Sequence, residues 1–120
     1  LKVHAVVAHF GLVHRSRVRQ VERLARFLAD EVPAGELLVV AGDFNDWNEK
    51  LDGPMREIGL ARATAPEGTR RLTFPSLAPV FALDRFYLRG LACTSMMAPR
   101  GATWARMSDH LPLVAELEPA

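Results

Sequence analysis

Apolar positions change period several times along the chain, and each change predicts an element. Val3, Ala5 and Val7 alternate with Lys2, His4 and Val6 before the pattern runs on through Ala8, which predicts a buried strand ending at His9. Phe10 to His14 reads as a loop punctuated by Gly11. From Arg15 to Val32 the apolar residues Val18, Val21, Leu24, Ala25, Leu28 and Val32 recur at three- and four-residue steps, opposite Arg17, Arg19, Glu22, Arg23, Arg26 and Asp30. That spacing predicts an amphipathic helix, with Ser16 as its cap and Pro33-Ala34-Gly35 as its stop. Glu36 to Ala41 is a short apolar run that predicts a second buried strand. Strand, helix and strand in succession indicate a crossover unit of an α/β protein.

The second half is less regular. Gly42 to Lys50 reads as a polar loop and Leu51 to Leu60 as one short helix, with Gly59 near its end. Ala61 to Pro79, rich in Pro, Gly and Thr, is expected to be irregular. Leu83 to Leu88 and Ala92 to Met97 are expected to be two strands joined by a tight turn at Arg89-Gly90. Pro99-Arg100-Gly101 makes another turn, and Leu111 to Leu117 is the last predicted strand.

Composition narrows the class. With 49% hydrophobic and 24% charged residues and one cysteine among 120 residues, the chain is not a disordered tail, a collagen-like chain or a disulfide scaffold. No apolar run reaches the roughly 18 residues that cross a bilayer. A net charge of +1 neither marks nor excludes a nucleic-acid binder. The lone Cys93 fits a reducing compartment, so a cytoplasmic location is expected. The chain opens at Leu1 inside a strand pattern, without an initiator methionine, so a missing upstream segment is expected.

Ionisable and amide groups fall at the ends of the predicted apolar strands: His9, Gly42-Asp43-Phe44-Asn45, Asp84 and Ser108-Asp109-His110. Loops at strand ends are held rigidly by the sheet, and functional groups collect there. Phosphate-ester hydrolysis needs charge neutralised on the phosphoryl oxygens and a water aimed in line with the leaving group. Asp43, leaving an apolar strand, is suited to take that water's proton, and Gly42 lets the backbone pass close to a substrate. Asn45 is suited to donate its amide to a phosphoryl oxygen, and His110 is a second candidate donor. Asp109 offers oxygen atoms to a hard cation such as Mg²⁺.

Taken in order, Ala8-His9-Phe10, the helix with Arg19-Gln20, Gly42-Asp43-Phe44-Asn45, Leu83-Asp84-Arg85-Phe86 and Ser108-Asp109-His110 resemble the endonuclease/exonuclease/phosphatase family, the DNase I-like hydrolases. The resemblance spans nearly the whole chain. It implies an α/β (α+β) fold, a DNase I-like four-layer sandwich of two mostly antiparallel sheets faced by helices. Residues 1–120 would be the C-terminal part of one such domain, supplying one mostly antiparallel sheet and its covering helix. It further implies a divalent-metal-dependent hydrolase of phosphate esters, using Mg²⁺ or Mn²⁺, with His9, Asp43, Asn45, Asp84 and His110 catalytic. Asp84 would be the carboxylate partner of His110, Asp43 and Asp109 would face the metal, and Asn45 would contact substrate; Trp47, beside the proposed site, and Arg15, in the basic cluster at the helix start, are further candidate substrate contacts by position. The partner classes implied are a nucleic acid, a phospholipid head group or a small phosphodiester. The family's remaining Asn and its metal-binding Glu lie in an N-terminal half with no counterpart here, and Arg85 stands where the family often has an aromatic. A half-domain would leave apolar surface bare, so self-association is expected.

Other readings of the same residues stay open at this point. Asp43 and Asn45 suit an ordinary turn, and Ser108 and Asp109 suit a turn before Leu111-Pro112. His9 alone suits a hydrogen-bonded strand-end histidine, and Asp84 an ion pair with Arg85 or Arg89. The basic stretch from His14 to Arg19, Arg15 included, suits a solvated helix start as well as a substrate contact. A catalytically incomplete fragment, or a non-catalytic binding relative of the family, is the alternative function.

Overall fold

The computed structural model describes the backbone of residues 1–120 and every side chain except those of His14 and Arg15. The predicted crossover is present. Strand β1 (Val3–His9) leads through helix α1 (His14–Glu31) to strand β2 (Leu37–Asp43), and the two strands pair in parallel. Helix α2 (Asp52–Glu57) and a two-residue strand β3 (Ala61–Arg62) follow. Strand β4 (Asp84–Arg89) runs antiparallel to β2 on one side and to β3 on the other, giving a sheet ordered β1-β2-β4-β3. Strand β5 (Leu91–Met97) and strand β6 (Val114–Pro119) form a separate antiparallel pair, and helix α3 (Ala102–Met107) lies between them. No described helix is long and apolar enough to cross a membrane.

Side-chain alternation divides the interior into two layers. Leu38 and Val40 of β2 and Tyr87 of β4 face α1 and pack with its Val21, Leu24 and Leu28, and with Phe10, Phe44, Leu51, Met55 and Leu60 from the loops. The intervening positions Val39, Phe86 and Leu88 face the other way and pack against Leu91, Met96, Ala115 and Leu117 of the β5–β6 pair. Each buried leucine or valine contributes about 1.5–3 kcal/mol relative to exposure.

Several expectations need correction. β1 is not buried: it is an edge strand whose Val3, Ala5 and Val7 face solvent, while Val6 and Ala8 pack against the core. Helix α1 begins at His14 with Val13 in extended conformation as its cap residue, and no side chain caps it, so Ser16 sits within the first turn. β4 and β5 are not a hairpin. Gly90, at φ 74°, turns a corner that sends the two strands to different sheets. The last strand begins at Val114 rather than Leu111, and α3 follows the expected Pro99-Arg100-Gly101 turn in a stretch for which no element was expected. The expected irregular stretch holds β3 and a bridge between Phe74 and Phe81.

Gly42 has a structural reason of its own. It sits at φ 148°, and a Cβ there would lie 1.7 Å from the Ala8 carbonyl oxygen. Its close approach is to β1, and that contact allows the two strands to stay paired out to His9 and Asp43. Gly42→Ala is expected to destabilise the fold by about 3 kcal/mol or more, measured by thermal or denaturant unfolding. A loss below about 1 kcal/mol would contradict this role.

Candidate active site

Strand register assembles most of the site. His9 lies opposite Asp43 at the end of the β1–β2 ladder, and Asp43 lies opposite Asp84 at the end of the β2–β4 ladder. Directly paired residues share a face and stand about 5 Å apart. Three polar side chains from three strands therefore line one end of the sheet, on the face that carries Val7, Ala41 and Phe86. Backbone bonds carry both ladders one step further, from Phe10 N to the Asp43 carbonyl (2.9 Å) and from Phe44 N to the Leu83 carbonyl (3.0 Å). Asn45, in the left-handed region at φ 48°, turns back. Its backbone N–H donates to Asp43 Oδ1 (2.9 Å) and its side-chain Nδ2 donates to the Phe10 carbonyl (2.5 Å), tying together the loops that leave β1 and β2.

His110 arrives from outside the sheet, in the loop between α3 and β6. The segment Thr73–Ser76 holds it there. Leu111 N donates to the Thr73 carbonyl (2.7 Å) and Ser76 N to the Asp109 carbonyl (2.7 Å). Ser76 Oγ donates to the Ser108 carbonyl (2.8 Å), and Ser108 Oγ accepts from His110 N (3.1 Å). The ring lies 4.8 Å from that of Phe74. His110 Nδ1 bonds to Asp84 Oδ2 at 2.7 Å, and the same oxygen accepts from Thr73 Oγ1 at 2.5 Å.

This bond sets the chemistry of the ring. With Nδ1–H given to Asp84, Nε2 is turned outward, 3.6 Å from Asp43 Oδ2. His9 Nε2 stands 3.7 Å from the same oxygen. Partial burial of His110 disfavours its charged form. The hydrogen bond to Asp84 and the charges of Asp84, Asp43 and Asp109 outweigh that, so its pKa is raised. The result is a carboxylate flanked by two imidazoles, one of them biased towards the cation.

The structure brings His9, Asp43, Asn45, Asp84 and His110 together. Asp109 is adjacent but exposed. Trp47 reaches the site indirectly: its ring packs edge-on against Phe74 (5.3 Å) and Phe81 (4.6 Å), and Phe74 touches His110. The Arg15 side chain lies outside the described residues. Asp84 pairs with neither Arg85 nor Arg89 as the ion-pair alternative required: Arg89 donates to the Glu36 and Pro33 carbonyls, and Arg85 faces away from the site into the core. There Arg85 meets Asp46, an acid that sequence reasoning passed over. Burial opposes ionisation of Asp46, but hydrogen bonds from Arg85, Lys50 N and Leu51 N hold its pKa below the ordinary carboxylate value. Thr73 was also missed. It falls in an irregular stretch with no periodicity to set it apart, although it is wholly buried.

Polar groups from three strands and one loop converge at one end of a mixed sheet, and comparison with known proteins identifies the family to which the chain belongs. Residues 2–110 match the model of the Endonuclease/Exonuclease/phosphatase family, and the chain belongs to that family. It is 38% identical over 117 residues to the uncharacterized protein YbhP of Escherichia coli strain K12, an alignment covering 96% of this chain and 46% of YbhP. The chain thus spans about half the length of the curated relatives it matches. Its fold superposes on a functionally unknown conserved protein from Enterococcus faecalis V583 with a TM-score of 0.76 at 19% identity, covering 97% of this chain and 50% of that one. It also superposes on a mannosyl-6-phosphatase of Bacteroides thetaiotaomicron with a TM-score of 0.67 at 16% identity, covering 93% and 49%. The fold is thus DNase I-like, present here at about half the length of these neighbours.

Because folding raises the pKa of His110 above its usual 6.5, the charged ring stabilises the fold fully below that pH and ceases to as the pH rises through the folded value. An NMR titration of the imidazole protons is expected to place the His110 midpoint above 6.5 in the native protein and to move it down in Asp84→Asn. A midpoint unchanged or raised by that substitution would contradict the assignment.

Proposed function

We propose that the protein carrying this chain is a divalent-metal-dependent phosphoesterase whose reaction is centred on Asp43. The observation that supports this most is the convergence of His110 Nε2 and His9 Nε2 on one oxygen of Asp43, at 3.6 and 3.7 Å. A lone turn or a strand-end histidine has no need of such a group.

Asp43, Asp84 and His110 hold oxygen and nitrogen atoms within 4.8 Å of one another; with His110 a proton donor in this reading, the carboxylates are the groups that suit a hard cation such as Mg²⁺ or Mn²⁺. Asp84 Oδ2 already accepts two hydrogen bonds, which leaves Asp43 as the carboxylate best disposed to face an ion. Exposed Asp109 is its proposed companion. When bound, such an ion neutralises charge on the phosphoryl oxygens. Asp43 orients a water in line with the leaving group and takes its proton as the oxygen bonds to phosphorus. Oδ1 is held by Asn45 N, so the lone pairs of Oδ2 remain directed into the site. His110 Nε2–H and His9 donate to phosphoryl oxygens, and Asp84 keeps His110 charged while they do. Asn45 uses one amide hydrogen on Phe10 and presents the other to the phosphoryl group. The ester P–O bond breaks, the leaving oxygen takes up a proton from solvent water, and Asp43 returns its own proton to solvent. The substrate class is a phosphate ester in a nucleic acid, a phospholipid head group or a small molecule, with Trp47 and Arg15 as further contacts. The fold-level neighbour described as a mannosyl-6-phosphatase supports a phosphate ester as the reacting group.

The test is hydrolysis of bis(p-nitrophenyl) phosphate by the full-length protein with Mn²⁺. Chelation is expected to abolish turnover, and Asp43→Ala and His110→Ala each to lower kcat by about 10²- to 10³-fold. Full activity in either variant would contradict the proposal. We also propose that residues 1–120 are part of a single domain and are catalytically incomplete alone, since the relatives matched are about twice as long. Negligible turnover is expected of the isolated chain, and self-association through the exposed β1 face of Val3 and Val7, read by light scattering. An active monomer would contradict this.

A further inference from the structure

Asp84 and Arg85 are consecutive in β4 and so point to opposite faces of the sheet. Asp84 enters the site. The Arg85 side chain, 1% exposed, enters the core behind it. There its Nε donates to the Ala82 carbonyl (2.9 Å), and Nη1 donates to Asp46 Oδ2 (2.8 Å) and to the Tyr87 hydroxyl (3.0 Å). Nη2 donates to the Asp46 carbonyl (3.0 Å) and to Glu49 Oε2 (2.9 Å). Every N–H of the guanidinium is thereby used. Asp46 is equally committed: its carboxylate also accepts Lys50 N (2.9 Å) and Leu51 N (2.8 Å), and its side chain has no exposed surface.

The location of this clamp matters more than its bond count. Asp46 directly follows Asn45 in the loop that leaves β2, and Ala82 precedes the start of β4. The last rung of the β2–β4 ladder pairs Asp43 with Asp84, and beyond it the backbone bond from Phe44 to Leu83 continues the pairing. Arg85 joins the two segments past that point. A buried ion pair is a weak device for stability alone, because apolar residues of similar volume often serve as well or better. What a planar guanidinium adds is fixed geometry, with donors at set angles that an ammonium cannot reproduce.

We propose that Arg85 is a positioning residue of the site. It fixes the Asp43–Asn45 loop against the Asp84–His110 pair, and so sets the spacing between the water-activating carboxylate and the phosphoryl donors without touching substrate. The proposal rests on the phosphoesterase reading for its kinetic consequence, while its structural content stands apart from that reading.

The test compares Arg85→Lys and Arg85→Met with Leu38→Ala, a cavity in the core under β2, all in the full-length protein and assayed well below each variant's melting transition. Arg85→Lys keeps the charge and loses the fork, which guards against Arg85→Met failing to fold. With bis(p-nitrophenyl) phosphate and Mn²⁺, Arg85→Lys is expected to lower kcat by about ten- to a hundredfold. Its KM should stay within about threefold, while Leu38→Ala keeps kcat within about twofold. The imidazole proton signals of His9 and His110 in the NMR spectrum report the same arrangement without turnover. They should shift in Arg85→Lys and stay in place in Leu38→Ala. Native kcat in Arg85→Lys, or equal kcat losses in it and Leu38→Ala, would overturn the proposal. If the native protein hydrolyses no phosphate ester, the phosphoesterase reading fails and the imidazole signals alone decide. Unmoved signals in Arg85→Lys would then overturn the positioning role, and shifted ones would uphold it.

Discussion

The hydrogen bond between Asp84 and His110 is the contact on which the site depends, because it fastens to the end of the sheet a ring that no strand carries. His9, Asp43 and Asp84 are aligned by the sheet itself: parallel pairing sets the first two and antiparallel pairing the last two. His110 belongs to no strand. Its loop is carried by Thr73 and Ser76, and its ring is committed to the site by one 2.7 Å bond to a carboxylate that Thr73 also holds. That bond does two things together. It orients Nε2 towards Asp43, and it favours the charged form of the ring.

Behind this polar surface the sheet turns a different face. Alternation along β4 sends Asp84 outward and Arg85 and Tyr87 inward, so a charged cluster of Arg85, Asp46, Glu49 and Asp52 lies under the site and runs into the apolar layer packed on α1. Tyr87 links the two, with its hydroxyl on Asp52 and its ring edge-on to Phe44. Burial pushes the Tyr87 phenol up, despite the nearby Arg85 charge, which keeps it a neutral donor to Asp52. Arg62, paired with Glu49 and Asp52, and Arg70, paired with Glu49, bring the cluster to three cations and three carboxylates, so the buried Arg85–Asp46 pair sits in a group whose charges balance.

Much of the site was legible in the sequence because each of its groups terminates an apolar run. His9 ends one strand, Asp43 another, Asp84 begins a third, and Ser108-Asp109-His110 precedes the last. Helix α1 was legible from its period, to within a residue at either end. What escaped was set by tertiary contact. Thr73 sits in a stretch without periodicity, and only the fold shows that its hydroxyl and carbonyl serve Asp84 and the His110 loop. Arg85 stood out as a charge in an apolar strand, but the parity that buries it could not be read without the register. α3 has six residues, too few for a 3.6-residue period to show, and α2, equally short, was expected only within the longer stretch Leu51 to Leu60. The corner at Gly90 looked like a hairpin because local sequence marks a turn without saying which partners the flanking strands will take.

The central claim is that the carboxylate of Asp43 and the imidazoles of His9 and His110 surround one phosphorus atom. A crystal structure of the full-length protein with Mn²⁺ and inorganic phosphate tests it most directly. The account predicts an anomalous peak on Asp43, with the phosphate within hydrogen-bonding distance of His110 Nε2 and the His110–Asp84 bond intact. Phosphate bound elsewhere, or Asp43 and His110 separated to opposite sides of the molecule, would contradict it.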